Sequence, residues 1–259
     1  MQIEGSVVLI TGASQGIGAA CAAAFRSRGA KLALLARNEE RLRAVAKGDE
    51  LVLAGDVTDA EFRAEAVDRT LQSHGAIDVL INNAGTGLYA PAWSASETQV
   101  RELFELNLFA PLALSQLVVP GMRQRGRGML VNISSIAGEI TLPWFTLYST
   151  TKHALGSLTD GLRMELERDG LRAMTVCPGY VNTDFQKHAI AGSSPGSLQG
   201  RRRPLSVSVE VCAAAIVSGV ERDARTVVTP RTGWAVIWLR RLFPATVDHY
   251  LSRMRERQA

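Results

Sequence analysis

The stretch Thr11-Gly12-Ala13-Ser14-Gln15-Gly16-Ile17-Gly18 follows an apolar run at residues 7–10 and opens an alanine-rich segment at 16–28. A short run that is apolar at every residue is typical of a strand buried on both faces. Glycine adopts backbone angles that other residues rarely adopt, and its missing side chain lets a pyrophosphate approach the main chain. A helix N-terminus adds unpaired N–H groups and a partial positive charge. The stretch therefore predicts a dinucleotide-binding turn between a strand and a helix.

Apolar runs alternate with helical patterns along the rest of the chain. We predict strands at 7–10, 31–36, 51–54, 79–82, 129–134, 173–177 and 226–229, and helices at 16–28, 39–46, 59–74, 96–122, 148–167 and 209–221. Asp59 is the predicted N-cap of the third helix. This alternation implies parallel strands with right-handed crossovers. We therefore expect an α/β protein, a doubly wound Rossmann fold with about seven parallel strands and helices on both faces. No internal repeat or low-complexity linker interrupts the pattern, so we expect one domain over 1–259.

Composition restricts the class of protein. The 259 residues are 46% hydrophobic and 21% charged, as in soluble globular chains. The net charge is +4, but no basic stripe carries interleaved aromatic residues, so we expect no nucleic-acid partner.

Three cysteines lack disulfide spacing and four histidines are scattered, which predicts reduced cysteines and no metal site. Residues 1–5 do not resemble a signal peptide, and no run reaches the ~20 apolar residues of a membrane span, so we expect a cytoplasmic location.

The second predicted strand ends in Ala36-Arg37-Asn38. A carboxylate at this point would favour NAD by binding the ribose 2′-hydroxyl, and none is present. Arg37 can instead pair with a 2′-phosphate through charge-assisted hydrogen bonds, with help from Ser14. The residues therefore predict NADP(H) as the cofactor; a plain surface arginine is the alternative.

Tyr148 and Lys152 are four residues apart, so they lie on the same face of the predicted helix 148–167. Free tyrosine has a pKa of about 10, too high for proton exchange near neutrality. A nearby lysine charge favours tyrosinate and lowers that pKa. The pair predicts a proton-transfer site beside the dinucleotide.

These residues resemble the short-chain dehydrogenase/reductase family, in its Tyr-Lys branch. The similarity runs from residue 7 to about residue 229, and its motifs occur in the family's order. They are Thr-Gly-x-x-x-Gly-x-Gly at 11–18, Asp56-Val57, Asn82-Asn83-Ala84-Gly85, Asn107, Ser134-Ser135, Tyr148 with Lys152, and Pro178-Gly179 with Thr183. The resemblance implies a Rossmann oxidoreductase that interconverts a carbonyl and a secondary alcohol of a small molecule with a nicotinamide cofactor. The tail and the apolar composition of the chain point to a hydrophobic substrate.

The resemblance also implies residue roles. Tyr148 is the expected acid in reduction and base in oxidation, Lys152 modulates its pKa, and Ser135 orients the substrate oxygen. Ser135 rather than Ser134 has the family's spacing to Tyr148. Asn107 is expected to hold a water beside Lys152. The expected cofactor contacts are Gly12, Ser14, Gln15, Gly16, Ile17, Gly18, Arg37, Asp56, Val57, Asn83, Ala84, Gly85, Tyr148, Lys152, Pro178, Gly179, Val181 and Thr183.

Two segments of the chain are not specified by the motifs of the family. Residues 184–206 are predicted to be an irregular, mobile substrate loop that closes as a lid. Its Arg201-Arg202-Arg203 run either is solvated at the surface or attracts an acidic substrate by its positive charge. The tail 230–259 lacks the Asp-Gly-Gly motif with which many members build a tetramer. It can cover an apolar substrate, form a subunit contact or rest on a membrane surface. A homodimer through the helices near 96–122 and 148–167 is our expectation.

Two other functions are consistent with parts of the pattern. A cofactor-binding sensor or scaffold could keep the fold without turnover, although both Tyr148 and Lys152 are present. Sugar-nucleotide epimerases and dehydratases share that pair, but they usually have a longer chain and a Gly-x-x-Gly-x-x-Gly turn.

Overall fold

The computed structural model describes residues 1–191 and 205–253. The main strands are β1 Val7–Thr11, β2 Lys31–Ala36, β3 Leu51–Ala54, β4 Val79–Asn82, β5 Gly128–Ile133 and β6 Leu171–Pro178. The helices among them are α1 Gly16–Arg26, α2 Glu39–Val45, α3 Ala60–His74, α4 Glu97–Phe104, α5 Ala110–Arg125 and α6 Thr146–Leu166. The chain continues with β7 Tyr180–Val181, β8 Ser206–Val207, α7 Val209–Glu221, β9 Thr226–Thr229, α8 Gly233–Leu242 and α9 Pro244–Arg253. Asp59 accepts from the N–H groups of Glu61 and Phe62, which confirms the predicted cap of α3.

Seven parallel strands form the main sheet in the order β3-β2-β1-β4-β5-β6-β9. Ile10 of β1 pairs in register with Leu34 of β2 on one side and with Ile81 of β4 on the other. The strand order reverses between β1 and β4, and ligands of open α/β sheets bind in the crevice at this reversal, beyond the carboxyl ends of the strands. The α/β class and the doubly wound Rossmann fold are confirmed.

Alternation along the strands divides the core into two layers. Val8 and Ile10 pack with Cys21 and Phe25 of α1 on one face of the sheet. Leu9, between them, packs on the other face with Leu114 of α5 and its neighbours. Because both layers exclude water, β1 is apolar at nearly every residue, as expected for a strand buried on both faces.

The long helical region predicted at 96–122 is interrupted. Glu105–Phe109 forms a π-helical turn between α4 and α5, in which the N–H of Ala110 bonds the carbonyl of Glu105. Asn107 lies in this turn. The sequence pattern predicted helix here and did not distinguish the π-helical turn from ordinary helix.

The segment 184–206 was predicted to be irregular, and its described part corrects this. Asp184–His188 is a 3₁₀ helix, with Thr183 accepting from the N–H of Phe185. At the other end, Ser206 and Val207 pair in parallel with β7. Residues 192–204, and with them the arginine run 201–203, lie outside the described residues. The cysteines Cys21, Cys177 and Cys212 are buried and unpaired, as expected.

Candidate functional site

A cleft of about 1580 Å³ opens at the carboxyl edge of the sheet. It begins at the end of β2, passes the turn after β1 and the ends of β4 and β5, and ends among apolar side chains near α9. Its position is the strand-order reversal at which this fold binds ligands.

The glycine-rich turn has the backbone geometry that close ligand approach requires. Gly12 has a φ of +64°, a left-handed conformation that residues with side chains rarely adopt. A Cβ at Gly18 would collide with the carbonyl oxygen of Gly12 and lie 2.6 Å from Asn83 Nδ2. Asn83 Nδ2 also donates to the carbonyl of Thr11 at 2.9 Å, and the Thr11 hydroxyl accepts from the N–H of Asn83 at 2.9 Å. These bonds join the first and fourth strand ends into one cradle, and its shape fits a pyrophosphate at the N-terminus of α1.

Two arginines line the cleft at the end of β2. Arg37 is largely exposed, and its Nη1 lies 3.9 Å from Asp56 Oδ2. Arg41, in the first turn of α2, donates from Nη1 to Gln15 Oε1 at 2.9 Å. Asp56 is also held by Thr58, whose N–H and hydroxyl both donate to Oδ1. Sequence reasoning missed Arg41, although its place in the first turn of the helix that follows β2 was a usable signal.

Tyr148, Ser135 and Lys152 meet where β5 and α6 adjoin the cleft. The Ser135 side chain lies within reach of the Tyr148 hydroxyl and acts on its pKa. Lys152 Nζ donates to the carbonyl of Ile133 at 2.9 Å and lies 5.7 Å from the centroid of the Tyr148 ring. Ser134 points away from this group, because its hydroxyl donates to the Lys152 carbonyl at 2.9 Å. Of the two serines, only Ser135 contacts the phenol.

Burial dominates the proton affinities at this point. It raises the pKa of Tyr148, and the hydrogen bond from Ser135 acts in the opposite direction. Burial also lowers the pKa of Lys152 to about 8. The sequence-based expectation of a lowered Tyr148 pKa is therefore not met by the protein groups alone, since desolvation outweighs the opposing effect of Ser135.

Asn107 is fully buried in the π-helical turn beside Lys152. Its Oδ1 accepts from the N–H of Thr86 at 2.9 Å, and its Nδ2 donates to the Thr86 carbonyl at 2.9 Å and to Thr151 Oγ1 at 3.1 Å. A Cβ at Gly85 would lie 3.1 Å from Asn107 Oδ1 and 3.4 Å from Lys152 Nζ. The carboxamide and the amine therefore flank the same glycine, and both hydrogens of the Asn107 amide are used within the protein.

Most sequence-predicted site residues line the cleft. They are Gly12, Ser14, Gln15, Gly16, Ile17, Arg37, Asp56, Val57, Asn83, Ala84, Gly85, Ser135, Tyr148, Lys152, Pro178, Gly179, Val181 and Thr183. Gly18 and Asn107 lie behind the cleft wall and act on it through Gly12 and Gly85. Among the described residues, no group of three or more His, Cys, Asp or Glu could hold a metal ion.

An aromatic wall closes the cleft over Tyr148. Phe145 stacks on the Tyr148 ring with centroids 4.1 Å apart and on Tyr89 at 4.4 Å. Phe185, from the 3₁₀ helix, meets Tyr148 edge-on at 5.8 Å. Sequence reasoning missed these residues because they lie in three segments far apart in the sequence and share no motif.

The sequence profile of the family described as short chain dehydrogenase matches residues 6–193. The chain belongs to the short-chain dehydrogenase/reductase family. "Dehydrogenase/reductase SDR family member 7B" of Danio rerio is 34% identical over 94% of this chain and 83% of its own length. "11-beta-hydroxysteroid dehydrogenase-like 2" of Arabidopsis thaliana is 32% identical over 96% of this chain and 81% of its own.

Solved members of the family share the architecture. A short-chain dehydrogenase from Burkholderia cenocepacia in complex with NADP superposes with a TM-score of 0.82, at 27% identity over 97% of this chain and 99% of its own. A family member from Burkholderia phymatum in complex with NAD has a TM-score of 0.84, at 24% identity over 93% and 94% of the two chains, and supports the fold alone. The chain is thus an oxidoreductase of a family whose members bind NADP or NAD.

Proposed function

We propose that the protein is an NADP(H)-dependent dehydrogenase/reductase that interconverts a carbonyl and a secondary alcohol, with Tyr148 as the acid/base group. The observation that carries this proposal is the grouping of Ser135, Tyr148 and Lys152 on the cleft wall, with Ser135 within reach of the phenol hydroxyl and Lys152 beside its ring. A serine hydroxyl and a phenol that meet at one point can both reach a single substrate oxygen. That arrangement suits a reaction in which negative charge develops on oxygen.

Each catalytic group has a distinct task in this proposal. When bound, NADPH supplies the hydride. Tyr148 donates its proton to the carbonyl oxygen in reduction and accepts the alcohol proton in oxidation. Ser135 orients that oxygen. Lys152, protonated below its pKa of about 8, favours the ionised phenol after proton transfer. Asn107 fixes the backbone of the cleft wall beside Lys152. A water bound there would return a proton to the phenol after each turnover.

The adenosine end supports NADP(H) over NAD(H). Arg37 and Arg41 both line the cleft where β2 ends, and no carboxylate stands at that strand end. Two guanidinium groups match the charge and geometry of a 2′-phosphate. The NADP complex of the Burkholderia cenocepacia relative agrees with this choice.

The proposed cofactor preference has a direct test in binding. Arg37→Ala and Arg41→Ala are each expected to weaken NADPH binding about tenfold, the loss typical of a charge-assisted bond, and to leave NADH binding nearly unchanged. Titration calorimetry measures both cofactors. Arg43→Ala, on the same helix but outside the cleft lining, is the matched control. Wild-type protein that binds NADH as tightly as NADPH would refute the preference.

The far end of the cleft suggests an apolar substrate. Tyr89, Phe145 and Phe185 line it together with aliphatic side chains, and aromatic faces bind flat apolar molecules well. The relative named for a hydroxysteroid dehydrogenase is consistent with such a molecule. We propose a hydrophobic ketone or alcohol, in one domain of residues 1–259 that works as a homodimer in a reducing compartment such as the cytoplasm.

The test is NADPH consumption against a panel of apolar ketones and aldehydes, with Tyr148→Phe beside the wild type. Turnover that is lost in the variant, with NADPH affinity retained, supports the proposal. Turnover retained by Tyr148→Phe overturns the proton-transfer role. A wild type that binds NADPH but converts none of a broad panel favours the second candidate, a cofactor-binding sensor.

A further inference from the structure

Helix α8, which with α9 forms the C-terminal element, has one side packed against the protein and one side exposed to solvent. Ile237 is fully buried and packs, with Trp234 and Val236, against apolar side chains near the cleft. The opposite side carries large apolar residues at i, i+1, i+4 and i+5, which share one helical face. They are Trp238, 53% exposed, Leu239, 48%, Leu242, 66%, and Phe243, 56%, and we name these four the apolar ridge. Contiguous apolar surface of this kind marks an interaction site.

The net positive charge of the chain is concentrated in the same segment. Residues 230–259 contain six arginines against Asp248 and Glu256, a net charge of +4, which equals that of the whole chain. Residues 1–229 are therefore neutral overall. Arg231 and Arg253 are exposed at the two ends of the described tail. The guanidinium of Arg241 lies 5.7 Å from the centroid of the Trp238 ring, but Glu139 pairs with it, so the charge that a partner can use lies mainly at Arg231 and Arg253.

This charge decides between two occupants of the apolar ridge. A twofold contact between copies would bring the ridge against itself and place two positively charged tails together. An anionic lipid surface instead attracts each arginine, by about fivefold in affinity for each basic residue. Tryptophan and arginine beside aliphatic side chains are also the residues that suit a bilayer interface.

The tail is continuous with the substrate end of the cleft. Ile136 and Ile140 line the cleft and belong to the apolar cluster that receives α8. Leu251 of α9 lines the cleft directly. Arg241 Nη2 also lies 2.8 Å from Glu139 Oε2, which ties the end of α8 to the segment that carries those isoleucines. A surface that holds the tail therefore lies beside the cleft.

We propose that the apolar ridge and its arginines dock the protein on an anionic bilayer surface, so that an apolar substrate reaches the cleft from the lipid. Only the delivery of substrate depends on the proposed function. Docking itself follows from the ridge, the charge and their place in the fold.

Co-sedimentation with vesicles tests the docking. Vesicles of phosphatidylcholine with phosphatidylserine are compared with vesicles of phosphatidylcholine alone, at low and at high salt. We expect binding to the anionic vesicles at low salt, and a loss of at least about tenfold on raising the salt or omitting phosphatidylserine. Leu242→Ser with Phe243→Ser, and separately Arg231→Gln with Arg253→Gln, are each expected to lower vesicle binding about tenfold or more.

Matched controls are Trp93→Ser, an exposed apolar residue outside the tail, and Arg101→Gln with Arg69→Gln, two exposed arginines on α4 and α3. These variants are expected to bind vesicles as the wild type does. NADPH affinity and thermal unfolding confirm that every variant is folded. Absence of wild-type binding to anionic vesicles overturns the proposal. So does a ridge variant that keeps vesicle binding but changes the oligomeric mass, since the ridge would then be a subunit contact. Vesicle binding by a protein that proves inactive on every carbonyl tested would uphold docking and refute the proposed function alone.

Discussion

At the scale of single residues, the site contains two groups whose proton affinities burial moves apart. The pKa of Tyr148 is raised and that of Lys152 is lowered to about 8, because desolvation penalises the charged form of each. Ser135 is the protein group that opposes the change at Tyr148 by hydrogen bonding. A reaction that needs tyrosinate therefore depends on Ser135 and on the positive charge of the oxidised cofactor.

Replacement of Ser135 by alanine is expected to move the pH profile of alcohol oxidation. Oxidation requires ionised Tyr148, so its rate rises with pH. Loss of a hydrogen bond that lowers the Tyr148 pKa shifts that rise upward by about one pH unit. The measurement is kcat against pH. Ser134→Ala, whose hydroxyl contacts the Lys152 carbonyl instead, is expected to keep the wild-type profile. Identical profiles for Ser135→Ala and wild type would contradict the assignment.

Lys152 gives a second pH dependence, this time of stability. Its folded pKa is about 8, whereas an unfolded lysine titrates near pH 10.4. Between these values the unfolded chain binds a proton that the folded chain has released, so this group makes the free energy of unfolding rise with pH, by up to about 1.4 kcal/mol per pH unit. Below about pH 8 Lys152 is protonated in both states, so its contribution to the pH dependence of the free energy of unfolding disappears.

Urea unfolding of the cofactor-free wild type and of Lys152→Met, across this pH range, measures that slope. The wild type is expected to gain stability relative to the variant as pH increases. Contributions of the buried cysteines are common to both proteins and cancel in the difference, and below about pH 9 Tyr148 stays protonated in the folded and the unfolded chain. Parallel curves for the two proteins would show that Lys152 is not desolvated as its burial implies.

At the scale of elements, the π-helical turn Glu105–Phe109 is joined to α6 through Asn107 and Thr151. Thr151 Oγ1 accepts from Asn107 Nδ2 and donates to the Tyr148 carbonyl at 2.8 Å. The same hydroxyl therefore links the turn to the helix that carries Tyr148 and Lys152. π-Helical turns within α-helices often occur at functional sites.

Thr151→Val keeps the shape of this side chain and removes its hydroxyl. The buried amide of Asn107 then lacks one acceptor, which is expected to lower the free energy of unfolding by about 1–3 kcal/mol. We also expect kcat to fall, with KM for NADPH less affected, because the turn beside Lys152 is no longer fixed. Denaturant unfolding and steady-state kinetics measure the two effects. Thr151→Ser restores the hydroxyl and is expected to recover both.

The sequence predicted these elements better than the links between them. The strand positions and the α/β class follow from local apolar runs, and the turn at 11–18 follows from its glycines. The π-helical turn does not, since Asn107 is fixed by Thr86 and Thr151, 21 and 44 residues away. Such bonds depend on tertiary neighbours that helix propensity does not contain. The aromatic wall of Tyr89, Phe145 and Phe185 escaped prediction for the same reason.

At the scale of the whole molecule, the outer faces of α5 and α6 expose apolar side chains. Leu117 is 40% exposed and Met164 is 70% exposed. The elements α4, the π-helical turn and α5 together form a continuous helix, Glu97–Arg125, of 29 residues. By length and composition it could cross a membrane, and 39% of its most apolar 18-residue stretch is buried in the protein. One face of this helix packs against the sheet in the protein core. We therefore interpret it as a core helix whose remaining apolar face meets another subunit, rather than as a membrane-spanning helix.

A homodimer through α5 and α6 is therefore expected in solution. Leu117→Glu with Met164→Glu places like charges on both sides of a twofold contact and removes apolar area, so the variant is expected to be monomeric. Light scattering after gel filtration measures the mass, and NADPH affinity shows that the cleft is intact. Trp238→Glu, on the apolar ridge of the tail, is the matched control and is expected to remain dimeric. A wild-type monomer would refute the homodimer alone. A dimer that survives in the double variant but not in Trp238→Glu would move the subunit contact from α5 and α6 to the tail and would contradict the docking of the tail on a bilayer as well.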